Sequence, residues 1–274
     1  MCTLTALPTG DARPGAMLWR VVINRDEKRE RTPALPPSLH RSDDRRCIYP
    51  VDPCSGGTWI GVNDAGLTLA LLNVNPLRTL GVGNPFSRSR GEIIPPLLRH
   101  DSVSAVIAEA ADLDHRAFPP FRLVVIASGE VAVVRSDVRV MTVHPAVALT
   151  RPFFATSSGL GDHLVEQPRR RLFEETVGAI EPTVARLEES TRTQDAFHRH
   201  RWPDRPELSV LMTRDDAWTV SRTAVEVFHD RVRVVYEAVG TGTPVVSECA
   251  RTARDGLPHP AVPRESCDRL SEAR

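Results

Sequence analysis

Cys2 is the residue of this chain best equipped for chemistry, because removal of the initiator methionine would leave it carrying a thiol and a free α-amine together. That pairing is a nucleophile with its own base. An α-amine titrates near about pH 8, so part of it is neutral at physiological pH and can take the thiol proton directly or through one water. No separate histidine is then required. The competing reading is that residue 2 of an ordinary chain is frayed and inert. The elements around it must decide between the two.

Thr3-Leu4-Thr5-Ala6-Leu7 alternates in the manner of a strand, a turn signal follows at Pro8-Thr9-Gly10-Asp11, and a second strand-like run covers Met17 to Ile23. A terminus tied into a sheet is held still, which a catalytic terminus needs. The second run ends in four consecutive polar residues, Asn24-Arg25-Asp26-Glu27, before a Pro-rich stretch (Pro33, Pro36, Pro37). Further on, Gly56 to Val62 reads as a strand, Asn63-Asp64-Ala65-Gly66 as a turn and Leu67 to Leu72 as the return strand. This hairpin delivers Asn73 to a loop, and an amide at the end of an apolar strand needs partners.

Helical spacing follows the Ser89-Arg90-Gly91 junction, around Ile93 to Leu98 and then from Val103 to Leu113. Strand character returns over 121–146 as a meander, and Phe153 to Thr156 runs into Ser157-Ser158-Gly159-Leu160-Gly161. Residues 162–201 read as two helices parted near Glu181-Pro182, with strands again at 208–214, 217–228 and 231–238. Strands in blocks joined by short turns predict an α+β fold of antiparallel sheets with helices on the outer faces. One domain is expected over 1–239, and the Gly-, Pro- and Ser-rich residues 240–274 are expected to form a poorly ordered tail.

Formal net charge is +0 over 274 residues, so no overall field draws in nucleic acid or an anionic bilayer. The run Arg169-Arg170-Arg171 reads as a solvated helix face. No apolar run approaches a membrane span, and Asp11, Arg13 and two prolines stand where a secretory core would lie. Five cysteines without paired spacing fit a reducing compartment. A cytoplasmic protein is expected. Cys47 and Cys54 lie in a predicted loop without a histidine at ligand spacing, and His198 with His200 lacks a zinc-type cluster, so no metal is expected. No Gly-rich nucleotide motif is present.

Taken together, Met1-Cys2-Thr3-Leu4, Asn24-Arg25-Asp26-Glu27, Gly56 to Asn63 with Gly66, Leu72-Asn73 and Ser89-Arg90-Gly91 resemble the NRDE family of transport and Golgi organisation protein 2-like chains. These blocks cover the first third of the sequence. Beyond residue 100 the resemblance rests on Thr156-Ser157-Ser158 and the closing β-hairpin. It implies kinship with cysteine N-terminal nucleophile hydrolases of the penicillin V acylase and bile salt hydrolase type, and a four-layer αββα sandwich. By that resemblance Cys2 is the nucleophile and its amine the base, Asp26 holds the amine, and Asn73 donates to the oxyanion. Arg25 lowers the thiol pKa, although in the acylases the arginine lies three residues before the aspartate, where this chain has Ile23. Ser157 or Ser158 stands where the acylases place a second asparagine, and Arg214 or Arg222 is offered for their late arginine.

Asn24, Trp59 and Asn63 are the substrate-contact candidates. Trp59 has the alternative of a core or rim anchor, Asn63 of a left-handed turn, and Arg25 with Asp26 of an incidental ion pair. The implied activity is cleavage of a linear amide or related acyl bond in a small molecule, with no cofactor required. The family's association with haem trafficking and acyl-lipid metabolism leaves open a second class, a non-catalytic carrier of haem or a lipid or acyl ligand in the same cleft. Nothing marks a partner surface, and a homo-oligomer is compatible with the sequence.

Overall fold

The computed structural model describes residues 2–11, 13–75, 86–137, 139–181 and 186–252. Alternation along the first two strands closes both of their faces. In β1 (Cys2–Pro8) the side chains of Cys2, Leu4 and Ala6 enter a core between two sheets. Thr3 and Thr5 face the other way, where Arg169 and His198 meet them. β2 (Met17–Lys28) repeats the pattern, with Trp19, Val21 and Ile23 in the intersheet core and Arg20 and Asn24 bonded to the helical layer behind. Every residue of β1 is therefore buried.

The first sheet has the order β10-β1-β2-β11-β12-β13, with β10 at Phe153–Ser157, β11 at Ala217–Phe228, β12 at Arg231–Ala238 and β13 at Val245–Ala250. The second is a meander, β3-β4-β5-β6-β7-β8-β9, built from Leu35–Ser42, Arg45–Val51, Ile60–Asn63, Thr68–Asn73, Phe121–Ala127, Glu130–Ser136 and Met141–Ala148. The named strand pairs are antiparallel. Ile60, Val62, Ala70, Leu72, Val124 and Ile126 of the meander face Leu4, Val21, Ile23 and Val225 of the first sheet. Residues of opposite parity, Leu69, Leu71, Leu123 and Val125, pack against Ile94 and Leu97 of α1 (Ile94–Leu97) and Val103, Val106 and Ala110 of α2 (Val103–Ala111). On the far side Phe154 packs with Phe173 of α3 (Asp162–Glu175) and Phe197 of α4 (Leu187–His198), with ring centroids 5.1 and 6.2 Å away. Each such buried side chain contributes about 1.5–3 kcal/mol. The order is helix, sheet, sheet, helix, the αββα sandwich that the family resemblance implied.

Several local expectations need correction. The Pro-rich stretch and the segment holding Cys47 form β3 and β4, because an edge strand such as β3 can carry Pro36 and Pro37 where no ladder donor is needed. The strand expected from Gly56 begins only at Ile60, and 208–214 is loop closed by one bridge, Thr213 to Trp218. Residues 245–250 of the expected tail pair with β12 as a sixth strand, and 253–274 lie outside the described residues. Arg169 is wholly buried rather than solvated, falling on one helix face with Val165 and Phe173. No helix among the described residues is long and apolar enough to cross a membrane.

Candidate active site

Cys2 opens β1 with its thiol on the intersheet face, at a cleft of about 420 Å³ that Arg25, Trp59, Asn73 and Arg90 also line. Exposed Ser87 and Arg88 form part of its wall, so the cleft reaches the surface while Cys2 itself is 4% exposed. Burial pushes the Cys2 thiol pKa up, and the carboxylates of Asp26 and Glu27 add to that. Arg25 pulls it down. Asn73 reaches the cleft because it is the last residue of β6, where the ladder with β7 ends. It is half-buried.

Register explains Arg25. It is the residue of β2 directly opposite Cys2, so both side chains leave the sheet on one face. Its guanidinium lies 4.2 Å from the Trp59 ring centroid and donates to Asp52 Oδ2 at 2.6 Å. Arg31 joins the same carboxylate at 2.6 Å and pairs with Glu27 at 3.0 Å. Arg25 and Trp59 thus brace one another at the cleft wall.

Two sequence blocks that are far apart in the chain meet here. A Cβ on Gly57 would stand 2.3 Å from the Gly91 carbonyl carbon, so only glycine allows the two backbones to approach, and the Thr58 N–H donates to Gly91 O at 3.0 Å. Ser89 Oγ accepts from Gly91 N, and the Glu92 carboxylate accepts from Ser89 N at 2.8 Å. This reciprocal cap fixes Arg90 at the cleft.

Asp26 lies on the opposite face of β2, 1% exposed. Thr219 donates to its Oδ1 at 2.7 Å, and a register irregularity between Thr219 and Ser221 in β11 falls beside it. Burial is the largest influence on Asp26 and raises its pKa; the charges of Arg169 and Arg214 and the Thr219 bond oppose that rise. Arg169 donates to Thr3 Oγ1 at 2.8 Å and Thr156 Oγ1 at 3.0 Å, bolting β1 to β10 next to Cys2. The Cys2 nitrogen donates to Ser157 Oγ at 3.2 Å, and Ser157 is the register partner of Cys2 across β10.

Five further candidates also lie outside the cleft. Asn24 faces the helical layer, donating to His198 O and Val210 O at 2.9 Å each. Asn63 is the turn residue of the alternative reading. Its amide donates to Leu98 O and His100 O, and its carbonyl accepts from the backbone of Ala65 and Leu67. Ser158 accepts from Leu160 N and closes the loop before α3. Arg222 pairs with Asp195 and Glu237, both at 2.6 Å, on the outer face, and Arg214 pairs with Asp216 at 3.1 Å. Asp52, Arg31, Arg90, Arg169 and Thr219 carry no site role in the sequence reading. Arg90 fell in the Ser89-Arg90-Gly91 block without a role of its own, and Arg169 had a usable signal in its four-residue spacing from Val165 and Phe173.

Among the described residues no group of three or more His, Cys, Asp or Glu side chains is arranged to hold a metal ion. A haem fits poorly. The described lining of the cleft offers one thiol, kept towards its protonated form by burial, and no imidazole.

The sandwich with a cysteine at the head of an inner strand defines the N-terminal nucleophile hydrolase fold. Two solved structures of conjugated bile acid hydrolase from Clostridium perfringens share it. A mutant matches with a TM-score of 0.51 at 10% identity, covering 95% of this chain and 100% of the other. A variant matches with a TM-score of 0.52 at 11% identity, covering 94% and 99%. The Caenorhabditis elegans ortholog of N-acylethanolamine-hydrolyzing acid amidase matches with a TM-score of 0.46 at 11% identity, covering 82% and 92%. The family model of Transport and Golgi organisation 2 matches residues 1–227, and the chain belongs to that family. Comparison with curated proteins gives no match.

Proposed function

We propose that the protein is a cysteine N-terminal nucleophile amidohydrolase that cleaves a linear amide or related acyl bond of a small molecule. The observation that carries this reading is the placement of the Cys2 thiol in a cleft also lined by Asn73 and Arg25. Once the mature chain begins at Cys2, its amine takes the thiol proton and the sulfur attacks the carbonyl carbon. The Asn73 amide donates to the resulting oxyanion, where such a donor is worth about 3–4 kcal/mol. The tetrahedral adduct collapses, the C–N bond breaks, and the ammonium of Cys2 returns the proton to the leaving nitrogen. Water, deprotonated by the same amine, then hydrolyses the thioester.

In this mechanism Asp26 holds the amine and Arg25 favours thiolate. Ser157 takes the place of the acylase asparagine, with one hydroxyl that can both accept and donate. The test begins with intact-mass spectrometry, which must find the mature chain starting at Cys2. Turnover of a panel of acyl amides must then vanish in Cys2→Ala. Retention of Met1, or turnover that survives the substitution, refutes the proposal. A haem-binding spectrum from the purified chain with no amide turnover would favour the carrier class instead.

A further inference from the structure

Four arginines border the cleft, and three of them are matched by carboxylates. Arg25 pairs with Asp52 at 2.6 Å, Arg31 with Asp52 at 2.6 Å and Glu27 at 3.0 Å, and Arg88 with Glu92 at 3.0 Å. Arg90 differs. Its Nη1 donates to the neutral carbonyl oxygen of Pro120 at 3.0 Å, and among the described residues it has no carboxylate partner. A guanidinium has five N–H donors in a fixed fork suited to a planar or tetrahedral anion. The rest of Arg90's surroundings are set before any ligand arrives, by the Ser89–Glu92 cap and by the close approach of Gly57 and Gly91.

A half-buried cation without a counterion is costly. Burial pulls the Arg90 pKa below its ordinary value, and only the more distant charges of Cys2 and Glu27 oppose that. The remainder of the lining includes apolar surface from Trp59, Leu71, Phe86 and Pro119. A ligand that satisfies this cleft therefore has an apolar portion and one anionic group.

We infer that the substrate is an acyl amide bearing an anionic group, a carboxylate or a phosphate, which Arg90 binds while the acyl chain lies against the apolar wall. This rests on the nucleophile reading of the same cleft and names the class of compound that enters it. Arg90 is then a specificity residue. The excess positive charge comes from one side chain, so a single substitution removes the selection.

The test uses full-length chain with Cys2→Ala, which binds without turnover, and calorimetric titration with three probes. These are N-hexanoylglycine, N-hexanoyl-O-phosphoethanolamine and the uncharged N-hexanoylglycinamide. At least one anionic probe is expected to bind about ten- to a hundred-fold more tightly than the uncharged one, as for a hydrogen bond to a charged group. Which of the two does so separates carboxylate from phosphate. Arg90→Gln erases the preference and Arg90→Lys restores part of it. Equal binding of all three probes, no binding of any, or a preference that survives Arg90→Gln overturns the inference. So does an Arg90→Gln chain with Cys2 intact whose cysteine alkylation profile moves to higher pH while probe binding is unchanged, since Arg90 would then serve the thiolate. A chain that prefers anions yet hydrolyses nothing sinks the hydrolase proposal alone. One that hydrolyses amides without regard to charge sinks this inference alone.

Discussion

Asp26→Asn removes a charge and almost none of the side chain's shape, which separates anchoring of the α-amine from support of the fold. Asp26 is 1% exposed and burial raises its pKa. The folded protein therefore holds this proton more tightly than the unfolded chain does. Ionising the group costs stability as pH rises from the unfolded value of about 4 through the higher folded value. A neutral amide escapes that cost. On the other side, Arg169 loses a nearby negative charge but keeps its bonds to Leu208 O, Thr3, Thr156 and Ser209 O at 2.8–3.0 Å, so its N–H donors stay satisfied. The Thr219 hydroxyl still finds an oxygen acceptor in the amide. The balance is a stability change within about 1 kcal/mol, or about 2–4 °C in Tm for a chain of this size. Acylation falls far more, by about 10²–10⁴, because the amine loses the group that aims its lone pair. Thermal denaturation and single-turnover acylation at pH 7.5 measure the two effects. A Tm loss beyond about 10 °C would make Asp26 a structural residue, and unchanged acylation would remove it from the mechanism.

Asn73→Ala is expected to lower kcat by about 10²–10³, with KM nearly unchanged, because its amide acts on the oxyanion rather than on the ground state; steady-state kinetics on a turned-over acyl amide checks this. His198 supplies a pH prediction. Burial, aided by the charges of Arg222 and Arg20, drives its pKa well below the ordinary value, and the neutral ring is bonded to Thr5 and Asn24. The unfolded chain protonates this site below about pH 6.5 while the fold resists it. Its contribution is present above that pH and declines on acidification by up to about 1.4 kcal/mol per unit. Urea denaturation at pH 7.5 and 5.0 should show a shallower loss in His198→Gln than in the unsubstituted chain, and equal losses would refute the argument.

Strand periodicity made much of the sandwich legible. The Gly56-to-Leu72 hairpin, the meander after Phe121 and the two long helices recur close to where the sequence placed them, because each has a local hydrophobic pattern that one covered face explains. Two of the misreadings, β3 and β13, are edge elements. β3 contains prolines that argue against a central strand, and β13 follows a Gly-Thr-Gly-Thr-Pro turn with few buried side chains. Their pairing comes from neighbours β4 and β12, which local composition does not reveal.

At the site, the residue types fixed Cys2, Arg25 and Asn73 as candidates, since a strand start and a strand end can be read from pattern alone. Composition and turn chemistry also fixed the helix, strand and loop blocks that carry them. Only the tertiary structure paired Arg25 with Asp52, seated Gly57 against Gly91 and buried Arg169 beneath the first strand. It also sent Asn24 and Arg222 to the far side of the sheet. The reason is that strand alternation defines two faces without naming which is the cleft. That choice depends on which sheet or helix layer covers each face, a contact between residues distant in sequence.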